Sequence, residues 1–292
     1  MSAGTQGVFD EVRQILPLWY PGAWGEVVPP GDDTKARRVG RCIYCGATGS
    51  LSREHVIPYG LDADLVLGEA SCPDCSKVTA QFESEVLGDM FRGFRAAKNF
   101  PTRRKAERPK AMPITVHKDG QEFEVELPLE EGVAVFHMPH FPPPGFVEGR
   151  GRAEGIDVVR PHFQFYGKPL DEIARELGAD SLSVSVTSWA PSFARLLAKV
   201  AYGAVVLHFG LDYLDDVFVL PAILGKSNDL GHWVGAGRSD IPSELRTETH
   251  YIQIERNGAG IVRARVALLP RFGGLEYLVV VGHTASSLEG GA

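Results

Sequence analysis

Hydrophobic residues between positions 78 and 94 recur at every fourth position. They are Val78, Phe82, Val86, Met90 and Phe94, and polar or small residues fill most of the positions between them. This spacing places the apolar side chains along one face of an α-helix. The sequence therefore predicts a helix that packs against a hydrophobic core.

A second helix is predicted between Ser188 and Gly210. Pro191 fits the first turn of a helix, and Gly210 fits its end. Apolar residues cover most sides of this segment, which predicts a buried helix. His208, Gly210 and Asp212 interrupt the apolar run, which falls short of the roughly 20 residues needed to cross a bilayer. We therefore expect no membrane partner.

Alternating apolar and polar positions predict β-strands in the second half of the chain. Residues 114–127 are expected to form a hairpin that turns at Asp119-Gly120, because glycine tolerates the positive φ of a tight turn. Three more strands are expected at residues 250–255, 261–269 and 275–282. The predicted fold class is α+β, with an antiparallel sheet against the buried helix.

Composition and charge narrow the class of protein. Of 292 residues, 44% are hydrophobic and 23% are charged, which is ordinary for a globular protein. The net charge of -7 excludes a uniformly basic nucleic-acid coat, so such a contact needs a local patch. The first residues carry acids where a signal peptide needs a basic region, so we expect a cytoplasmic protein.

Four cysteines form two C-x-x-C pairs, with no cysteine left over. Cys42 and Cys45 are separated by 26 residues from Cys72 and Cys75. Two such pairs can fill the four tetrahedral positions of a zinc ion. A site closed by four thiolates leaves no position for water, so we expect structural Zn²⁺.

The segment between the pairs contains the sequence EHVIP at residues 54–58. With the flanking cysteines it resembles the HNH endonucleases, in particular the zinc-knuckle branch with a ββα metal finger, over residues 41–95. The resemblance implies that Glu54 binds a catalytic Mg²⁺ or Mn²⁺ ion and that His55 is the general base that activates water. Because adjacent residues of a strand point to opposite faces, the pair needs a bend or bulge to serve one phosphate.

Two further positions follow from the same resemblance. Asp64 aligns with an asparagine that steadies the histidine loop in the family, and Ser76 stands where the family has an Asn or His metal ligand. Both are candidate supporting residues of the catalytic site. A serine hydroxyl is a poor ligand for a catalytic ion, so Ser76 is also compatible with lost chemistry.

A basic segment follows the cysteine region. Residues 92–110 contain eight Lys or Arg residues and one acid, a net charge of +7. Phosphate neutralisation is the natural use of such a patch, and a solvated linker is the alternative. The residues that we predict to bind nucleic acid are Arg92, Arg95, Lys98, Arg103, Arg104 and Lys105.

These observations predict four regions. Residues 1–40 form an amino-terminal leader, 41–97 an HNH-like zinc module, 98–113 a basic linker or arm, and 114–292 a carboxy-terminal α+β domain of unknown role. The leading hypothesis is a metal-dependent endonuclease acting on DNA. A non-catalytic zinc module that binds nucleic acid or a protein is the alternative. A third hypothesis puts the main function in the carboxy-terminal domain, which is also expected to target, sense or form a homo-oligomer.

Overall fold

A computed structural model describes residues 36–237, 241–257 and 259–285. The predicted leader, residues 1–40, lies mostly outside this part of the chain. The described residues form helices and mainly antiparallel sheets, so the predicted α+β class is confirmed.

The cysteine region, which we define as residues 36–97, contains a small sheet followed by a helix. Strand β1 (Ala36–Arg38) pairs in parallel with β3 (Val66–Ser71), and β2 (Ser52–His55) pairs antiparallel with the other edge of β3. Helix α1 (Pro73–Ser84) begins directly after β3, with Cys72 at its N-cap position and proline in its first turn. Proline suits this place because the first amides of a helix have no partner within the helix.

The predicted helix at residues 78–94 is present but is not one regular helix. Helix α1 passes into a π-helical turn at Glu85–Met90, and α2 (Arg92–Ala97) follows it. Four apolar residues from this turn onward are at most 3% exposed: Val86, Met90, Phe91 and Phe94. The core-facing side of this segment therefore continues through the π-helical turn into α2.

The rest of the described chain contains three antiparallel sheets and four more helices. One sheet contains β4 (Ala111–Lys118), β5 (Gln121–Pro128) and β8 (Ser181–Ser183). A second contains β6 (Val133–His140) and β7 (Arg160–Gly167). The largest contains β9 (Asp216–Val217), β10 (Val234–Ala236), β11 (His250–Arg256), β12 (Ile261–Leu268) and β13 (Glu276–His283). The helices are α3 (Leu170–Leu177), α4 (Ala190–Phe209), α5 (Leu220–Ile223) and α6 (Leu230–Trp233).

The predicted hairpin corresponds to β4 and β5. Lys118 pairs with Gln121, so the turn consists of Asp119 and Gly120, whose φ angles are 52° and 74°. Two positive φ angles in a two-residue turn match the twist of the flanking strands. The three strands predicted near the end of the chain correspond to β11, β12 and β13.

Helix α4 lies at the centre of the molecule. It packs against β10–β13 and also against α1 and β3, and one hydrophobic cluster runs through all of these elements. Two contacts show how closely the helix meets the cysteine region: the Tyr202 hydroxyl donates to the Ile43 carbonyl at 2.7 Å, and Gly203 lies against Val56. Helix α4 and the cysteine region therefore share a single core.

Helix α4 is long and apolar enough to cross a membrane by length and composition alone, but 83% of its apolar window is buried inside the protein. Its apolar surface therefore already has protein partners.

Candidate metal centre and basic cleft

The four cysteines come together at one point. Cys42 and Cys45 lie in the turn after β1, whereas Cys72 caps α1 and Cys75 lies in its first turn. The four sulfur atoms all lie within 4.8 Å of one another, and Cys45 Sγ is 3.6 Å from Cys72 Sγ. Tetrahedral zinc with Zn–S bonds of about 2.3 Å places its sulfurs about 3.8 Å apart. The cluster could therefore hold a metal ion such as zinc.

The helix that carries Cys72 and Cys75 also favours metal binding. The backbone N–H of Cys75 lowers the pKa of the Cys72 thiol to about 7, whereas burial raises the pKa of the Cys75 thiol. A thiolate is the form that binds a metal ion, and the N-terminus of a helix stabilises negative charge. With all four positions taken by sulfur, the ion would hold the turn after β1 against α1 and leave none for water.

Strand β2 contains an irregularity on the amino-terminal side of the Glu54-His55 pair, and the pair itself is in regular register with β3. The register of β2 against β3 shifts between Ser52 and Glu54, after which Glu54 pairs with Leu67 and His55 with Val66. The two side chains nevertheless have different surroundings. Glu54 is only 6% exposed, whereas His55 is half-buried and lines an open cleft.

A buried lysine of helix α4 binds the Glu54 carboxylate. The Lys199 ammonium, 1% exposed, lies 2.8 Å from Glu54 Oε1 and 2.5 Å from Glu83 Oε1. It also donates to the His55 backbone carbonyl at 2.5 Å. Sequence patterns did not identify Lys199 as part of the site. The available signal was a pair of cations, Arg195 and Lys199, in the middle of an otherwise largely apolar helix.

The two carboxylates stabilise the charge of the buried lysine. Burial opposes the charge on Lys199, but Glu83 and Glu54 outweigh burial and raise the lysine pKa above its ordinary value. Burial, with the charges of Glu54 and Glu83, raises the pKa of neighbouring Tyr44 well above its usual value. The Glu54 carboxylate thus already has a cationic partner.

A cleft of about 860 Å³ opens beside this group, between the end of β2, the α1–α2 helical segment and the basic arm. His55, Tyr59 and Glu83 line its inner part. Five arginines line the remainder: Arg92, Arg95, Arg103, Arg104 and Arg108. Against these cations the described lining includes two carboxylates, Glu83 and Glu107, so the cleft is positively charged.

The imidazole of His55 is neutral at pH 7. Burial lowers its pKa below the ordinary value near 6.5, and the charges of Lys199 and Arg103 lower it further. A neutral imidazole can accept a proton from water. Its Nδ1 atom is buried and has no hydrogen-bond partner among the described residues.

The six residues predicted to bind nucleic acid have different surroundings in the structure. Arg92 and Arg103 line the cleft and form no ion pair within the described chain, and Arg104 pairs with Glu107 at 3.3 Å. Arg95 instead donates to the carbonyls of Gly60, Leu87 and Pro101, so its guanidinium supports the cleft wall. Lys98 lies 4.3 Å from the ring centre of Tyr166, and Lys105 is exposed outside the cleft lining.

Asp64 and Ser76 are not among the described residues that line the cleft. Asp64 is exposed just before β3. The Ser76 hydroxyl lies 3.0 Å from the Ser71 hydroxyl and 3.5 Å from that of Ser52. Ser76 thus belongs to a group of hydroxyls beside the cysteine site. Neither Asp64 nor Ser76 lines the cleft, where the supporting catalytic roles predicted for them would place them.

Comparison of the chain with protein-family models, with curated proteins and with solved structures finds no match. The cysteine cluster, the cleft and the buried lysine are therefore the features of this protein that bear on its function.

Proposed function

We propose that this protein binds nucleic acid, taking the phosphate backbone of DNA into the basic cleft, with a structural zinc ion holding the cleft's scaffold. The observation that carries the proposal is the set of five arginines along one cleft of about 860 Å³ in a protein whose net charge is -7. Because the chain as a whole is acidic, this local cationic surface gives a polyanion one preferred place to bind.

Two arginines are the best candidates for direct phosphate contacts. Arg92 and Arg103 are exposed in the cleft and have no carboxylate partner in the described chain. Neutralising a phosphate with such a side chain releases condensed counterions, which makes the affinity salt-dependent. Arg95 and Arg108 support the cleft by donating to backbone carbonyls, so their contribution is chiefly structural.

Phosphodiester hydrolysis of the HNH type is a second candidate function. One observation favours it: His55 lines the same cleft with a neutral imidazole, and Arg103 is close enough for its charge to lower the histidine pKa. In that position His55 would take a proton from water while the arginines hold the phosphate. A Mg²⁺ or Mn²⁺ ion would supply charge stabilisation for the reaction.

The surroundings of Glu54 favour nucleic-acid binding over phosphodiester hydrolysis as the proposed function. The resemblance assigns the catalytic ion to Glu54, but that carboxylate is buried and paired with Lys199. Binding of the phosphate backbone needs no ion on Glu54. The nuclease hypothesis needs either another ligand or a change at Lys199.

Binding is tested by fluorescence anisotropy with a labelled DNA duplex at two salt concentrations. The double variant Arg92→Gln/Arg103→Gln is expected to bind at least about tenfold more weakly, with the salt slope reduced by about 2 because two phosphate contacts are lost. Arg160→Gln/Arg175→Gln is the matched control, since both residues are exposed outside the cleft. Equal losses in both double variants would contradict the proposal.

Hydrolysis is tested by plasmid nicking with Mg²⁺ or Mn²⁺. If the second function is present, His55→Ala abolishes nicking while DNA affinity changes little, because the arginines remain. His117→Ala, on β4 and hydrogen-bonded to Ser183, is the control. Salt-dependent binding without nicking by the wild-type protein leaves binding as the function; nicking that survives His55→Ala rules out His55 as the base.

A further inference from the structure

Three oxygen atoms converge on the ammonium of Lys199. They are Oε1 of Glu54 at 2.8 Å, Oε1 of Glu83 at 2.5 Å and the backbone carbonyl of His55 at 2.5 Å. Two of them belong to carboxylates, so the ammonium fills a small negative pocket.

The pocket and its cation come from different parts of the chain. Strand β2 contributes Glu54 and His55, helix α1 contributes Glu83, and helix α4 contributes Lys199. Lys199 is 1% exposed, but Glu83 also lines the basic cleft, and its side chain is 23% exposed. The oxygen-lined pocket therefore adjoins the cleft at Glu83.

Carboxylate and carbonyl oxygens are the ligands that hard divalent cations prefer. Mg²⁺ binds oxygen at about 2.0 to 2.1 Å and commonly keeps several waters beside one or two carboxylates. Mn²⁺ favours the same oxygen donors. The singly charged ammonium of Lys199 therefore occupies a set of oxygen ligands that would suit a doubly charged metal ion.

We propose that Lys199 is the internal cation of this oxygen-lined pocket, and that a divalent cation of the Mg²⁺ or Mn²⁺ class binds to Glu54 and Glu83 only when the lysine ammonium is absent from it. In the wild-type protein Lys199 excludes the divalent ion. The inference goes beyond nucleic-acid binding and does not depend on it, because its test contains no DNA.

The exclusion has a simple electrostatic cause. The pocket presents two carboxylates, and the tethered ammonium neutralises part of their charge without any loss of translational freedom. A divalent ion must displace the ammonium, which then needs another partner within a buried region. Removing the lysine leaves the carboxylates without a counter-ion and makes an external cation favourable.

The experiment uses full-length, zinc-loaded protein and Mn²⁺ as the probe. Wild type, Glu54→Gln, Lys199→Met and Lys199→Met/Glu54→Gln are titrated with Mn²⁺ by calorimetry, and their thermal unfolding is followed with and without Mn²⁺. Methionine keeps much of the length of lysine but carries no charge. Lys98→Met, which removes an exposed lysine over Tyr166, is the matched control.

Three results are expected. Lys199→Met has a lower Tm than wild type, and saturating Mn²⁺ raises that Tm by several degrees because the ion binds only the folded state. Wild type and Lys98→Met show no such response. The double variant loses the response, because one of the two carboxylates has been replaced by an amide.

Two results would overturn the proposal. One is Mn²⁺ binding to wild type that Glu54→Gln abolishes, since Lys199 would then not exclude the ion. The other is a Lys199→Met protein that Mn²⁺ neither binds nor rescues. If Lys199→Met alone does not fold, the comparison of wild type with Glu54→Gln still decides: equal Mn²⁺ responses support exclusion, and a loss in Glu54→Gln contradicts it.

Discussion

His250 connects strand β11 to the loop that follows β2. It is 3% exposed; its Nε2 atom lies 2.6 Å from the Leu61 carbonyl, and its Nδ1 accepts from the Leu269 backbone N–H at 3.4 Å. These two contacts fit the neutral ring with its proton on Nε2. Burial lowers the pKa of His250 to about 4, although the Leu61 carbonyl acts in the opposite direction. Protonation in the folded state is therefore costly.

The lowered pKa of His250 predicts how the free energy of unfolding changes with pH. The unfolded chain protonates His250 near pH 6.5 and the folded chain near pH 4, so between these values the unfolded state binds more protons. The free energy of unfolding should therefore fall as the pH falls from 6.5 to 4, by about 3 kcal/mol from this residue. Above pH 6.5 its contribution is constant.

Urea unfolding at pH 7 and pH 4.5 checks this prediction. His250→Gln should lose markedly less stability between the two conditions than wild type does. His117→Gln is the control for replacing a histidine by glutamine, because His117 lies on β4 with its side chain 34% exposed. Identical pH dependence in wild type and His250→Gln would mean that His250 does not titrate in this way.

The β4–β5 hairpin is an element whose sequence and geometry agree. Asp119 and Gly120 form its two-residue turn, and the Asp119 backbone N–H donates to the Asp180 carboxylate at 2.8 Å. Gly120 has a φ of 74°, and a Cβ added there would meet nothing within 4 Å. Glycine is therefore required at position 120 by the backbone conformation and not by a lack of room for a side chain.

Gly120→Ala is expected to lower the free energy of unfolding by about 1 kcal/mol, since alanine is strained at positive φ. Gly49→Ala is the matched control: a Cβ at Gly49 also meets nothing within 4 Å, but this glycine does not have a positive φ. Chemical denaturation of the two variants compares them directly. A cost at Gly49 equal to that at Gly120 would contradict the conformational explanation.

The whole molecule is organised around helix α4. One face of α4 packs on the large antiparallel sheet, and its other contacts reach the cysteine region through Tyr202, Gly203 and Lys199. The predicted division at residues 97 and 114 therefore does not coincide with a gap in the core. The cytoplasmic location, the homo-oligomer and the separate role of the carboxy-terminal region stay predictions.

Removal of the proposed zinc ion is therefore expected to affect the whole protein. Loss of the ion frees the turn after β1 from α1 and disturbs the core shared with α4, so the Tm should fall by at least about 10 °C. Unfolding should remain one transition. Scanning calorimetry of Cys72→Ser, or of the protein after chelation, measures both quantities, and zinc release is followed with a chromogenic chelator.

The outcome that would contradict this expectation is a main unfolding transition that stays at its original temperature while a second, smaller one disappears. That pattern would mean that the cysteine region folds as a unit of its own.

Local features of the sequence determined much of the fold and part of the site. Apolar periods of four and two residues are local, and so are the Asp-Gly turn and the two C-x-x-C pairs; these predicted the buried helix, the hairpin, the last three strands and the cysteine cluster. The π-helical turn at Glu85–Met90 was missed because a helical period does not reveal one extra residue per turn.

The surroundings of Glu54 were decided only by the tertiary structure. The sequence placed Glu54 beside His55 and assigned it an external ion, but its partner Lys199 lies 145 positions further along the chain. Such a contact depends on how α4 docks against β2 and α1, which no local pattern encodes. The sequence alone thus determined which residues could carry charge and bind metal, and the packing of α4 determined that the cation beside Glu54 is a lysine, because a buried carboxylate must find its counter-charge within the fold.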